Sequence, residues 1–574
     1  MMRSLQRSYL AAFLLLAAAW FGGLEYRGLF QPDEGRYAEI AREMLASGDW
    51  ITPRFNDLEY FEKPPLQYWT TAVSFALFGE DEWTARLWPA LSGFFGVLFL
   101  LFAGNRIGPP GAGRVAALVL ASSSAYFLSS QYLTLDMGLA FFMSATLLCF
   151  LLAQCLASRR WMLGAWAAMA CAVLTKGFVG VLLPAIVLGL YVLWERDWRL
   201  ARRLEWRWGL ALFAAIALPW FALVQMRNPD FLRFFVIHEH IERFLLPDHG
   251  RDGPWWYFIA IFALGMLPWT AALPGVLKRA FGAPQDAPIN LERLLVLWVA
   301  VIVAFFSVSS SKLPAYIVPA FPAMALLIGR DVARRAFFDL RWPGLIAACA
   351  AAGALLFVLP KLVDFVAYVP WVVAAAIVMI VAGLCASRMN PAASGAGLLV
   401  LAFGSVAAMQ LALSGLHHVD EKYSVEQFVE RLLGENRSFA PQAPFYSVGC
   451  LDESMPFYLG RTLTLVAHRG ELAPGIRAEP QKFVPTVEEF RQRWIASSEA
   501  YATMRPGLYA ELVAKGLPMR VLAIDAKRVI VSREAAEPPT LAKSPGLFFS
   551  WMTRELPALR QAQHEPRTLA LELH

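Results

Sequence analysis

An apolar run of about twenty residues is long enough to cross the hydrocarbon core of a bilayer, and this chain repeats such runs through most of its length. They fall at 8–25, 86–105, 113–130, 137–157, 161–175, 178–194, 208–225, 255–276, 291–308, 314–329, 342–360, 367–386 and 395–415. Backbone polar groups in lipid must be satisfied within the segment, so each run is confined to a helix. The chain therefore reads as a polytopic α-helical membrane protein with about thirteen transmembrane helices. Its composition agrees: 58% of the 574 residues are hydrophobic and 17% are charged, where soluble domains hold about 45–50% apolar and about 25% charged residues. The first run lacks a clear small-x-small cleavage site and leads straight into a charged segment, as a retained first helix would.

Loop charge tests that register. With Arg3 and Arg7 inside, alternate loops carry Arg106 and Arg114, Arg159 and Arg160, Arg196 to Arg207, Lys278 and Arg279, Arg330 to Arg341, and Arg388. All fall on the cytoplasmic side, as the positive-inside rule requires. The opposite loops carry Asp33 to Lys63, Asp136, Lys176, His238 to Arg243, and Lys312. The net charge of +6 is thus a matter of topology and implies no nucleic-acid partner. The piece 66–78, rich in Thr, Ser and Tyr, is too short for a span and is expected to lie as a helix at the interface. Six cysteines are scattered without metal-binding or disulfide spacing.

An odd span count places the C-terminal part outside. The transmembrane part is expected over 1–416, a small periplasmic α/β domain over 417–536, and a Pro-containing tail over 537–574. Strands are read at 445–448 and 462–466, helices at 487–494 and 508–515, and a terminal hairpin within 519–532 around Asp525-Ala-Lys527. No internal repeat is evident.

Candidate chemistry collects at the outer rim. The first outer loop, 26–85, is long for a connection between spans, and loops of that length are usually functional. Asp33 and Glu34 precede a helix expected over 35–46, with Arg36 and Tyr37 beside them. Charge at the edge of a span is costly and usually functional, although a carboxylate pair also simply caps a helix. Lys63, stiffened by Pro64 and Pro65, suits a phosphate as a compact point charge, or else anchors the segment by snorkelling. Glu62 pairs with Lys63 or binds a cation, and Tyr60 fits an interfacial aromatic belt. Asp136 opens a span and Lys176 ends one, so each needs a partner. His238-Glu-His240 lacks the i,i+4 zinc spacing; one His joined to a carboxylate from another loop would hold a divalent metal, and a solvated loop is the plainer reading. Lys312 and Tyr316 sit at the rim of a further span.

Taken together, Asp33-Glu-Gly-Arg-Tyr-Ala38, Tyr60-Phe-Glu-Lys-Pro-Pro65, Leu174-Thr-Lys-Gly177, Glu239-His-Ile-Glu-Arg-Phe244 and Ser311-Lys-Leu-Pro-Ala-Tyr316 resemble the bacterial lipid A aminoarabinose transferases. These belong to the GT-C group that includes protein O-mannosyltransferases. The resemblance covers about residues 1–415, and Phe457-Tyr-Leu-Gly460 also resembles the family's periplasmic tail domain. It implies a GT-C-like fold in the bacterial inner membrane. It implies transfer of 4-amino-4-deoxy-L-arabinose from undecaprenyl phosphate to lipid A, or to another periplasmic acceptor. By motif, Asp33 corresponds to the catalytic carboxylate. Arg36, Tyr37, Tyr60, Lys63, Asp136, Lys176, Arg243, Lys312 and Tyr316 surround the donor phosphate and substrate, and Glu62 with His240 match metal-holding positions. No cofactor is required by this reading; a divalent metal, zinc or magnesium, is the one candidate. A lipid flippase is the rival from another class, disfavoured because its ionisable residues would lie near the midplane.

Overall fold

The structure is a computed structural model describing residues 14–242, 253–283, 285, 287–335, 338–390, 394–419, 423–434 and 439–533. The expected tail over 537–574 lies outside the described residues. The apolar runs are helical. Among the described residues eight helices are long and apolar enough to cross a membrane, and ten if the bent pairs Ala112–Ser122 with Ser124–Ser130 and Tyr257–Gly265 with Trp269–Ala280 each count as one span. Arg159–Lys176, charged at both ends, and the 17-residue Val179–Glu195 fall on two further expected runs, while the first expected run, 8–25, lies partly outside the described residues. This is a multi-pass membrane protein. Leu135–Cys155 is its most enclosed span, whereas Arg341–Leu362 and Val366–Arg388 lie at the periphery.

Ion pairs between helices sort into the two loop sets read from the sequence. At one end Arg159 meets Glu205, Arg293 meets Glu195, Arg279 meets Asp331, and Arg330 and Arg334 share Glu292. At the other end Arg27 and Arg86 meet Glu34, Lys63 meets Glu239, and Lys176 meets Asp136. Among the described residues none of these pairs crosses from one set to the other. A slip of one span would have mixed them.

The first loop is built of short, tightly fixed pieces. Helix α1 (Asp33–Ser47) ends on Gly48, whose φ of 70° takes up the left-handed cap favoured by glycine. A hairpin of β1 (Arg54–Phe55) and β2 (Leu58–Glu59) follows, turning on Asn56 and Asp57, both at positive φ. Asn and Asp tolerate that region best among residues with a side chain. Helix α2 (Leu66–Phe78) is the piece expected at the interface, and Leu77 and Phe78 at its end are exposed. Asp81 and Thr84 form a capping box that starts α3 (Glu82–Ile107).

The C-terminal part carries a six-stranded mixed sheet ordered β5-β4-β3-β6-β8-β7. Strands β3 (Phe445–Val448), β4 (Thr464–Val466), β5 (Phe483–Val484) and β6 (Tyr501–Met504) run parallel. The β7 (Arg520–Ile524) and β8 (Val529–Ser532) hairpin closes the sheet antiparallel. Helices Val487–Ala496 and Pro506–Ala514 lie between strands, where sequence periodicity puts them. The two-residue β5 and the four-residue β6 gave no readable alternation.

This sheet does not hang free. Leu465, Leu472, Ile476 and Phe483 share one buried cluster with Tyr37, Tyr60, Tyr68 and Phe75 of the first loop. Asn56 exchanges two hydrogen bonds with the Leu463 backbone, donating at 2.5 Å and accepting at 2.6 Å. A Cβ on Gly35 would meet Ser454 Cα at 2.5 Å, and one on Gly475 would meet the Glu59 carbonyl at 2.5 Å. Two glycines thus permit the backbone contact that joins loop and sheet.

Candidate functional site

Glu34 explains why α1 sits where it does. Its two oxygens accept from Arg27 Nη1 at 2.5 Å and Nη2 at 3.1 Å, from Arg86 Nε at 2.8 Å and Nη2 at 3.1 Å, and from the Phe30 and Leu133 amides at 3.0 Å. Burial opposes its ionisation, but the two guanidiniums hold its carboxyl far below the usual carboxylate range. Every acceptor site is in use, so Glu34 is a structural tie. Its expected partner in function, Asp33, is different: its side chain is 40% exposed and, among the described residues, meets Arg36 Nη1 at 3.3 Å. The helix begins at Asp33 itself, two residues earlier than the sequence suggests, because the Glu34 tie fixes its first turn. Tying down Glu34 leaves Asp33 facing outward from the same turn.

Arg36 is the centre of the polar cluster. Its Nη1 donates to the Tyr60 hydroxyl at 3.3 Å, and its Nε stands 2.8 Å from Glu471 Oε1 of the C-terminal sheet domain. Tyr60 is buried, so it is a wall of this cluster rather than part of an interfacial belt. Tyr37 and Tyr68 lie ring to ring at 6.0 Å. Burial pushes all three phenols well above their ordinary range, leaving them as hydrogen-bond donors at neutral pH. Tyr68 is fully buried, and its hydroxyl has no hydrogen-bond partner among the described residues. Its electrostatic neighbours are Glu62, Arg36, Asp33 and Glu239, so charges of both the Asp33 cluster and the Lys63 cluster act on Tyr68.

Lys63 Nζ donates to Glu239 Oε2 at 2.7 Å and to the Glu62 carbonyl at 3.0 Å, with the Glu62 carboxylate more distant at 3.9 Å. Thus its main partner is Glu239, not Glu62. Asp136 and Lys176 pair at 2.5 Å, and Lys176 also lies 4.8 Å from the Tyr316 ring centroid. The costly charges at two span ends therefore satisfy each other. Lys312 is buried and donates to the Ser307 and Ser309 carbonyls at 3.1 and 2.6 Å. Its ammonium is thus committed in part to backbone.

Arg243 lies outside the described residues, as does the side chain of His240, which falls in the π-helical segment Phe234–Glu242. Among the described residues no three His, Cys, Asp or Glu side chains converge as a metal set. Sequence reading missed Arg27, Arg86, Tyr68, Glu239 and Glu471 as partners. Arg86 carried a signal, being a charge at the start of an apolar run. Glu471 carried none, since only the tertiary docking brings it to Arg36.

Residues 6–235 match the model of the dolichyl-phosphate-mannose-protein mannosyltransferases, and 435–533 match that of the aminoarabinose transferase C-terminal domain. The structure superposes on the crystal structure of ArnT from Cupriavidus metallidurans bound to undecaprenyl phosphate with a TM-score of 0.85 and 38% identity, covering 92% of this chain and 99% of that one. This chain belongs to the aminoarabinose transferase family. The apo form of the same Cupriavidus protein gives a TM-score of 0.84 at 37% identity, covering 92% and 98%. An undecaprenyl phosphate-alpha-4-amino-4-deoxy-L-arabinose arabinosyl transferase of Pseudomonas aeruginosa is 37% identical over 340 residues, 58% of this chain and 61% of the relative. The chain thus spans about three fifths of the length of the curated relatives it matches. In the aminoarabinose transferase fold seen here, both matched regions contribute to one polar cluster: Asp33 and Arg36 come from the first, Glu471 from the second.

Proposed function

We propose that the protein is a glycosyltransferase that moves 4-amino-4-deoxy-L-arabinose from undecaprenyl phosphate to a phosphate of lipid A. The reaction takes place at the periplasmic face of the bacterial inner membrane. One observation carries this reading: a solved relative that the chain covers almost end to end is named as binding undecaprenyl phosphate. The present chain sets Arg36 beside the Asp33 carboxylate and Lys63 beside Glu239, both cations in the first outer loop. The charge distribution of the loops supports the periplasmic assignment.

In this reaction the bond from the sugar's anomeric carbon to the donor phosphate oxygen breaks, and that oxygen leaves with the electron pair as undecaprenyl phosphate. An acceptor phosphate oxygen forms the new bond to the anomeric carbon from the opposite side, with inversion. Charge developing on the departing phosphate is met by Lys63 and Arg36, already in place before the reaction. Glu239 and the Glu62 carbonyl aim the Lys63 ammonium. A phosphate acceptor is largely ionised at neutral pH, so Asp33 acts on it by orientation and would abstract a proton only from a hydroxyl acceptor. Tyr68, its buried hydroxyl without a hydrogen-bond partner among the described residues, is a donor available to the sugar or its phosphate. The polyprenyl chain needs only apolar grooves between helices.

Purified protein given the lipid-linked aminoarabinose and lipid A is expected to yield lipid A heavier by one sugar residue in mass spectrometry. Transfer to a protein or glycan instead would replace the acceptor, and lipid movement across liposomes without transfer would replace the enzyme reading. Lys63→Ala is expected to raise the KM for the donor by about tenfold or more, the range of a hydrogen bond to a charged group. An unchanged donor KM would remove Lys63 from phosphate binding.

A further inference from the structure

Arg36 is held from both ends, and one end belongs to the C-terminal domain. Its Nη1 reaches Asp33 and Tyr60, each at 3.3 Å. Its Nε faces Glu471 Oε1 at 2.8 Å. A guanidinium is planar and rigid, so anchoring Nε fixes where the Nη atoms point. The contact is ionic rather than an aligned hydrogen bond, and neither buried atom has a hydrogen-bond partner among the described residues. Each is therefore compensated mainly by the other's charge.

Glu471 is itself placed with care. It lies in the turn Gly470–Leu472, whose Leu472 is buried in the cluster that contains Tyr37, Tyr60 and Tyr68. The next helix, Ala473–Ala478, packs on β2 through Gly475. The turn is thus tied to the first loop through the residues that follow Glu471.

We propose that Glu471 is a positioning residue which the C-terminal domain contributes to the site, fixing Arg36 so that its Nη face meets Asp33, Tyr60 and the donor phosphate. The inference rests on the glycosyltransferase reading above for the identity of that phosphate. It gives the C-terminal domain a part in the reaction as well as in covering the first loop.

A pH signature accompanies it. Burial pushes the Glu471 carboxyl up to about 7, with Arg36 opposing and Glu62, Glu453 and Asp33 reinforcing the rise. The ionised form, which holds Arg36, therefore gains as pH rises through 7. Donor use should climb across that interval.

The test compares wild-type protein with Glu471→Gln, Glu471→Asp and Arg54→Ala in lipid nanodiscs. Arg54 pairs with Glu479 at 2.8 Å and docks the same domain away from Arg36, so its loss reports on docking alone. Two readouts are taken: kcat/KM for the lipid-linked donor against pH, and binding of undecaprenyl phosphate by native mass spectrometry. Glu471→Gln is expected to lower kcat/KM by about tenfold to a hundredfold, the cost of a misplaced group near the reacting centre. It should also flatten the rise through pH 7 and weaken undecaprenyl phosphate binding. Glu471→Asp should restore part of each, and Arg54→Ala should leave both near wild type. Wild-type values for Glu471→Gln, or an equal loss in Arg54→Ala, would overturn the proposal. Wild-type protein that binds undecaprenyl phosphate but transfers no sugar would sink the enzyme reading alone, and the binding data would still judge Glu471.

Discussion

Replacing Asp33 by Asn is expected to lower turnover by about 10²-fold, the cost of a misplaced group at the reacting centre, while the protein stays folded. The structural side is well defined. Asp33 is 40% exposed and, among the described residues, pairs with Arg36 at 3.3 Å, so its removal should cost no more than about 1 kcal/mol of stability. Asn keeps the shape and the first-turn position of α1. The measurement is single-turnover sugar transfer at saturating donor, alongside the thermal unfolding midpoint. Near-normal turnover in purified Asp33→Asn would remove this carboxylate from the mechanism, and a collapsed midpoint would show that Asp33 serves the fold.

Glu34→Gln should do the reverse and strike the fold. The substitution leaves Arg27 and Arg86, both buried, without their shared countercharge. Breaking a buried ionic set by removing one partner costs about 3–5 kcal/mol, a large part of a typical stability of about 5–15 kcal/mol. The effect should appear as a much shorter lifetime in detergent and loss of the expressed protein. Its pH dependence has a definite sign. The folded-state pKa of Glu34 lies below its unfolded value, so its contribution is fully present above about pH 4.3 and falls away as acid protonates it. Wild-type protein should lose stability on acidification below that point, and Glu34→Gln should lack this part of the loss. A variant as stable as wild type would show that the two arginines find other compensation.

These two neighbours show what a sequence can and cannot disclose. That Asp33 and Glu34 matter follows from charge placed beside a span. Which of them is free for chemistry does not, because the answer lies in Arg86, at the head of α3, and in the Leu133 amide. The spans were legible because apolar runs of that length have one outcome in lipid, and basic loops fixed their alternation. The Asp136–Lys176 pair was legible for a related reason, since charges at span ends need partners. Lys63 was recognised as a cation at the rim, yet its aim depends on Glu239 from a distant segment. Short strands such as β5 were illegible, because two residues carry no periodicity.

The docking of the sheet on the first loop bears on how the molecule is made. Leu472, Ile476 and Phe483 complete a hydrophobic cluster begun by Tyr37, Tyr60 and Tyr68, yet the ribosome supplies them only after every span has been threaded. Until then the loop's aromatic face waits uncovered, and Arg36 waits for Glu471. A chain released early, with its helices inserted but everything from the C-terminal domain at 435 onward missing, would therefore be a membrane protein with an unfinished site.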